Sequence, residues 1–125
     1  MWARAILVAL GGALGTAVRY AASGYLGRHF PSFPWGTLLV NTAGSFLLGF
    51  SMGASISGRY LLSATLRGFL SIGFFGGLTT FSTLCYETLA AWRSGDGGRA
   101  LSMLAANLIL GLVSCYLGLT LGEGS

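Results

Sequence analysis

Four apolar runs, each long enough to cross a bilayer, fill most of this chain and leave only short polar connections between them. The first extends from about Ala5 to Leu26. At 1.5 Å per residue it spans roughly 33 Å, against about 30 Å for a hydrocarbon core. Further runs cover about 36–57, 66–92 and 99–121. Charged residues make up only 8% of the chain, where soluble domains carry about 25%. A soluble fold of 125 residues could not hide the remaining apolar surface, because small domains leave much of theirs exposed. The expectation is a single all-α integral membrane domain of four transmembrane helices, multi-pass, in a lipid bilayer. A signal-peptide reading of the first run fails on its length and on Arg19 within it.

The net charge of +4 comes from seven arginines and no lysine. Most sit at the ends of apolar runs, as membrane flanks do, and they do not interleave with aromatics as a nucleic-acid surface would. Cys85 and Cys115 lie inside apolar runs without metal-ligand spacing, and the sole histidine, His29, follows Arg28 in an expected loop. No nucleophile–base constellation or phosphate loop is visible, so an enzyme is not expected.

The third run holds the chemistry. Gly73 to Glu87 reads Gly-Phe-Phe-Gly-Gly-Leu-Thr-Thr-Phe-Ser-Thr-Leu-Cys-Tyr-Glu, with hydroxyls and a carboxylate at membrane depth. Adjacent glycines disfavour helix, so a break is expected near Gly76-Gly77. Freed backbone groups at a broken helix can line an ion site; the competing reading is close helix packing, with hydroxyls bonded to their own backbone. Thr79, Thr83 and Glu87 recur every four residues beyond that point, and Thr37, Asn41 and Ser45 do so in the second run. Asn41 is either interhelical glue or an N–H donor to an anion. Arg19 either snorkels to the interface or holds a positive potential at a vestibule mouth. Gly11/Gly15 and Gly49/Gly53 are small-xxx-small packing pairs, Gly24, Gly27, Pro31 and Pro34 are expected to break the chain between Ser23 and Trp35, and Ser94 to Gly98 reads as a turn.

Arg4, Arg59 and Arg67 fall on one side of the membrane, and Arg28, Arg93 and Arg99 on the other, with Arg19 if it snorkels that way. No positive-inside bias results, so one sequence can insert both ways and pair with an inverted copy.

Gly11-Gly12-Ala13-Leu14-Gly15 with Arg19-Tyr20, then Gly36-Thr37-Leu38-Leu39-Val40-Asn41, then Gly73 through Glu87 around Thr79-Thr80-Phe81-Ser82-Thr83, resemble the CrcB/Fluc fluoride channels. The resemblance implies a dual-topology antiparallel homodimer in the bacterial inner membrane, exporting fluoride passively and so conferring fluoride resistance. It implies a structural sodium ion at the dimer centre, held by the carbonyls of Gly76 and Thr79. It places Phe81, through its ring edge, and Asn41 beside fluoride. Thr37, Ser82 and Thr83 supply polar groups along the pathway, and Asn107 is the helix-four candidate. Glu87 falls where the family carries an acid. Leu84 departs from the family, which has a second phenylalanine at that position. The physics is consistent, because fluoride needs substitutes for lost water, in weak and multiple sites. The alternative is a proton-coupled small multidrug exporter of the same four-helix, dual-topology kind, but its mechanism needs a carboxylate mid-membrane, usually in the first helix, and none is there. A non-transporting assembly subunit leaves Asn41 and the hydroxyl cluster unexplained.

Overall fold

The computed structural model describes residues 2–58 and 63–124. Arg59, counted above among the flanking charges, lies outside the described residues. Among the described residues, four helical segments are long and apolar enough to cross a membrane: Trp2–His29, Trp35–Ile56, Ala64–Arg93 and Gly97–Glu123. The first two are single helices, α1 and α2. The third span is composite, built from α3 (Ala64–Arg67), a π-helix (Gly68–Phe75), α4 (Gly76–Leu78) and α5 (Phe81–Arg93). The fourth is α6 (Gly97–Glu123).

α1 runs on through Gly24 and Gly27, which the sequence marks as breakers, and ends at His29. Phe30 precedes Pro31, and the residue before a proline is driven out of the α region, so the proline ends this helix. The turn before α6 follows the expected residues. Gly95 takes a φ of +90°, and Asp96 Oδ1 accepts from Arg99 N at 2.9 Å to cap the helix.

Lipid gives no hydrophobic drive to hold helices together, so they associate by close packing of small residues. α6 lies along α2, and α1 lies along the π-helix and α4. The α2–α6 seam interlocks reciprocally: a methyl on Gly49 or Gly53 would strike the Cys115 or Leu119 carbonyl, and one on Gly118 or Gly122 would strike that of Phe46 or Phe50. On the other seam a methyl on Gly77 would come within 2.6 Å of Gly12 O, and one on Gly73 within 2.6 Å of Val8 O. Leu38, Val40, Leu78, Leu84 and Met103 form the buried apolar core, with Thr37 and Asn107 buried among them.

The third span breaks at Thr79–Thr80, not at Gly76-Gly77. Both glycines are helical, whereas Thr79 (φ −87°, ψ 159°) and Thr80 (φ −152°, ψ 117°) are extended. The glycine at 77 admits the backbone of α1 at Gly12. The bend is held at the threonines, because Thr80 Oγ1 accepts from Thr83 N at 3.2 Å and so starts α5.

Candidate functional site

A broken helix leaves amides and carbonyls without ladder partners, and inside a membrane these must be satisfied by protein. Here α2 supplies the partner. Asn41 Oδ1 accepts from Thr80 N at 2.7 Å, and Asn41 Nδ2 donates to Thr80 O at 3.1 Å. The carboxamide thus pairs with Thr80 as a strand neighbour would. Asn41 Nδ2 also donates to Asn107 Oδ1 at 2.9 Å, and Asn107 Nδ2 donates to Met103 O at 2.8 Å within α6. On the α4 side, Phe75 O accepts from both Thr79 N (3.2 Å) and Thr79 Oγ1 (3.1 Å), and Arg19 Nε donates to Gly77 O at 3.0 Å. Gly44 makes room for the bend, since a methyl there would strike Thr79 Cγ2.

Two cavities meet at Thr80, and a third lies further along α5. One of about 260 Å³ is lined by Asn41, Ser45, Gly76, Thr79, Phe81, Leu84 and Asn107, so it gathers most of the residues singled out from sequence. A larger one, about 790 Å³, opens on the other side of Thr80 and is lined by Thr16, Arg19, Ser23, Arg28 and Thr83. The third, about 230 Å³, holds Glu87 with Tyr86, Ser94 and Arg99. Phe81 is 72% exposed and borders the first cavity, while Leu84 is only 3% exposed and packs into the core beside it.

Not every expected residue joins the break. Thr37 donates through Oγ1 to Glu87 Oε1 at 2.6 Å, a contact between α2 and α5 away from the first cavity. Ser82 is exposed and lines none of these three cavities. Thr83 faces the vestibule-sized cavity. Arg19 does not extend freely to an interface, because its Nε is committed to the Gly77 carbonyl; its guanidinium still lines that cavity. Thr80 has a structural part that sequence reading passes over, although a threonine three residues before Thr83 and ahead of an apolar run is a recognisable helix start.

Apart from the Arg19 guanidinium on Gly77 O, the groups around the break are neutral carbonyls, amides and hydroxyls. Among the described residues no group of three or more His, Cys, Asp or Glu comes together. Such a donor set does not suit zinc or calcium, which take thiolate, imidazole or several carboxylates. It suits a hard monovalent cation held by backbone oxygens, or an anion held by weak donors.

Together the four spans, the break and the polar groups beside it define a multi-pass membrane protein with a partly polar cavity at a helix break. Residues 6–119 match the family described as CrcB-like protein, Camphor Resistance (CrcB), and the chain belongs to that family. It is 48% identical over 120 residues to a protein of Thermus thermophilus called fluoride-specific ion channel FluC, covering 95% of this chain and 93% of that one. A protein of the same name from Opitutus terrae is 46% identical over 115 residues, covering 90% and 87%. One from Campylobacter fetus is 43% identical over 113 residues, covering 89% and 87%.

Proposed function

We infer that this chain is a fluoride-selective ion channel, not an enzyme, and that it lets fluoride leave the cell down its gradient. The observation that carries this is similarity along nearly the whole chain, at 48% identity, to proteins called fluoride-specific ion channels. The site chemistry supports it. Fluoride is small and strongly hydrated, so its path must offer replacements for water without binding it irreversibly. Phe81 offers a positive ring edge at the cavity wall, where Phe75 also lies, and the Ser45 hydroxyl and the Asn41 amide offer polar partners, with Asn107 bonded to that amide. Thr83 continues this lining toward the larger cavity, where Arg19 and Arg28 give an anion-attracting potential. The bacterial inner membrane is the setting this export requires.

In this reading the working unit is an antiparallel homodimer. The balance of Arg4, Arg59 and Arg67 against Arg28, Arg93 and Arg99 supports insertion in both orientations. So does the exposure of Phe81, an aromatic beside the cavity that its own chain leaves uncovered. A sodium ion at the dimer centre, held by the carbonyls of Gly76 and Thr79, fits the neutral oxygen donors of the break. Sodium would supply fixed positive charge there, while Asn41 and Arg19 hold the surrounding backbone. Leu84 stands where the family carries a second phenylalanine, so the rings at this cavity are those of Phe81 and Phe75.

The test is ion efflux from proteoliposomes containing the purified protein. Fast fluoride release with no comparable chloride release is expected. Equal release of both, or of neither, would remove fluoride selectivity from the reading.

A further inference from the structure

We propose that Asn107 is a latch on the Asn41 carboxamide, a positioning residue that sets how tightly the pathway holds fluoride. The proposal rests on the fluoride-channel reading and adds a role for α6 to it.

A carboxamide has two N–H donors and one carbonyl, and both donors of Asn41 are committed: to Thr80 O at 3.1 Å and to Asn107 Oδ1 at 2.9 Å. The orientation of each amide is fixed by backbone. Thr80 N can only donate, so the group facing it at 2.7 Å must be Asn41 Oδ1. That turns Asn41 Nδ2 toward Asn107. Met103 O can only accept, so the atom 2.8 Å from it must be Asn107 Nδ2, and Asn107 Oδ1 faces Asn41. Flipping either amide would set donor against donor or acceptor against acceptor. The network therefore has one direction, from Thr80 N–H through Asn41 and Asn107 to the Met103 carbonyl.

The two Asn41 bonds differ in what releasing them disturbs. The bond to Thr80 O belongs to the pairing that holds the break. The bond to Asn107 joins two side chains on different spans, and both residues line the 260 Å³ cavity. An anion in that cavity gains an Asn41 N–H only when Asn107 gives it up. Exchanging one hydrogen bond for another makes the site weaker than a free donor would, which is the condition for an ion that must also leave.

The experiment measures fluoride efflux against fluoride concentration in proteoliposomes for the wild-type protein, Asn107→Leu and Asn107→Thr. Flux is counted per protein eluting as a single folded species, with chloride run in parallel. Leucine removes the acceptor. Threonine also withdraws from Asn41, being shorter, but can return its hydroxyl to Met103 O, so it guards against a folding failure of the leucine variant. Both variants are expected to lower the half-saturating fluoride concentration about five-fold, the fold-change of the one neutral hydrogen bond that fluoride no longer has to displace, and to lower saturating flux as release slows. A half-saturating concentration that rises would make Asn107 itself the donor and overturn the latch. One that stays unchanged would overturn it too, because Asn41 would then have gained nothing. A wild-type protein without preference for fluoride over chloride would remove the channel reading, and the latch with it.

Discussion

The Nε of Arg19 on α1 donates to the carbonyl of Gly77 on α4 at 3.0 Å, two residues before the third span breaks. This places a cation at the C-terminal end of the α3–α4 stretch, where unsatisfied carbonyls carry the negative end of the helix dipole. The close approach exists because Gly77 and Gly12 meet without side chains. Arg19 thus ties the break to α1 as Asn41 ties it to α2.

Replacing Arg19 by glutamine should destabilise the protein by ~1–2 kcal/mol, the sum of a lost charge-assisted bond and a lost dipole contact at a half-exposed site. Lysine restores the charge but not a planar Nε–H, so Arg19→Lys should recover little of that loss. Thermal unfolding of the detergent-solubilised protein, compared across the three, is the measurement. Full recovery by lysine would reduce the contribution of Arg19 to charge alone.

The interlocked seams give a contrasting pair. A methyl on Gly118 would strike Phe46 O, so Gly118→Ala should cost about 1–3 kcal/mol by overpacking and lower folded yield. Gly27, also helical, has nothing within 4 Å of an added methyl, so Gly27→Ala should stabilise by about 0.5–1 kcal/mol through helix propensity. Melting temperatures of the two variants should move in opposite directions.

How far the sequence reveals this arrangement differs from one feature to the next. The spans are legible because apolar length is a property of each run alone. Gly11/Gly15 and Gly49/Gly53 stand out by their four-residue spacing, yet Gly118/Gly122 has the same spacing and escapes notice in a uniformly apolar run. Low helix propensity is local, and it points to the glycines as the break. The actual position depends on a bond between Asn41 and Thr80, 39 residues apart, which local propensity does not contain. Asn41 and Asn107 both stand out as polar residues in apolar runs; that they bond to each other depends on the packing of α6 along α2.

The exposure of Phe81 and the burial of Leu84 predict unequal sensitivity. Phe81→Leu removes the ring edge at the cavity wall and should cut fluoride flux by about ten-fold or more. Leu84 lines the same cavity, which has room for a ring, so Leu84→Phe should fold and should keep or raise fluoride affinity. Flux per folded protein decides between them, and normal flux in Phe81→Leu would remove the Phe81 ring from the mechanism and leave Phe75 as the remaining ring at this cavity.

Dual insertion is tested in the turn before α6. A single cysteine within Ser94–Gly98, in a background lacking Cys85 and Cys115, should be labelled by impermeant reagent from both sides of the membrane. Two or three lysines added to that loop should bias insertion one way and reduce flux. Labelling confined to one side would end the antiparallel arrangement.

The Thr37–Glu87 contact tests whether an acid in a membrane span serves packing or transport. Thr37 is 3% exposed and donates to Glu87 Oε1 at 2.6 Å, linking α2 to α5 beyond the break. Thr37→Val keeps the volume and removes the donor, leaving a half-buried carboxylate without that partner; the expected cost is about 1–3 kcal/mol. Glu87→Gln keeps an acceptor for the hydroxyl and removes the charge, so it should cost less. In the double variant the valine leaves no charge stranded, and its cost should fall short of the sum of the two singles by about 1 kcal/mol or more. Thermal unfolding of all four proteins closes that cycle. Fluoride flux measured on the same samples separates the roles: if Glu87 only braces the helices, Glu87→Gln conducts as the wild type does. If its charge shapes the exit from the cavity it shares with Arg99, flux per folded protein in Glu87→Gln changes even though its stability cost is small.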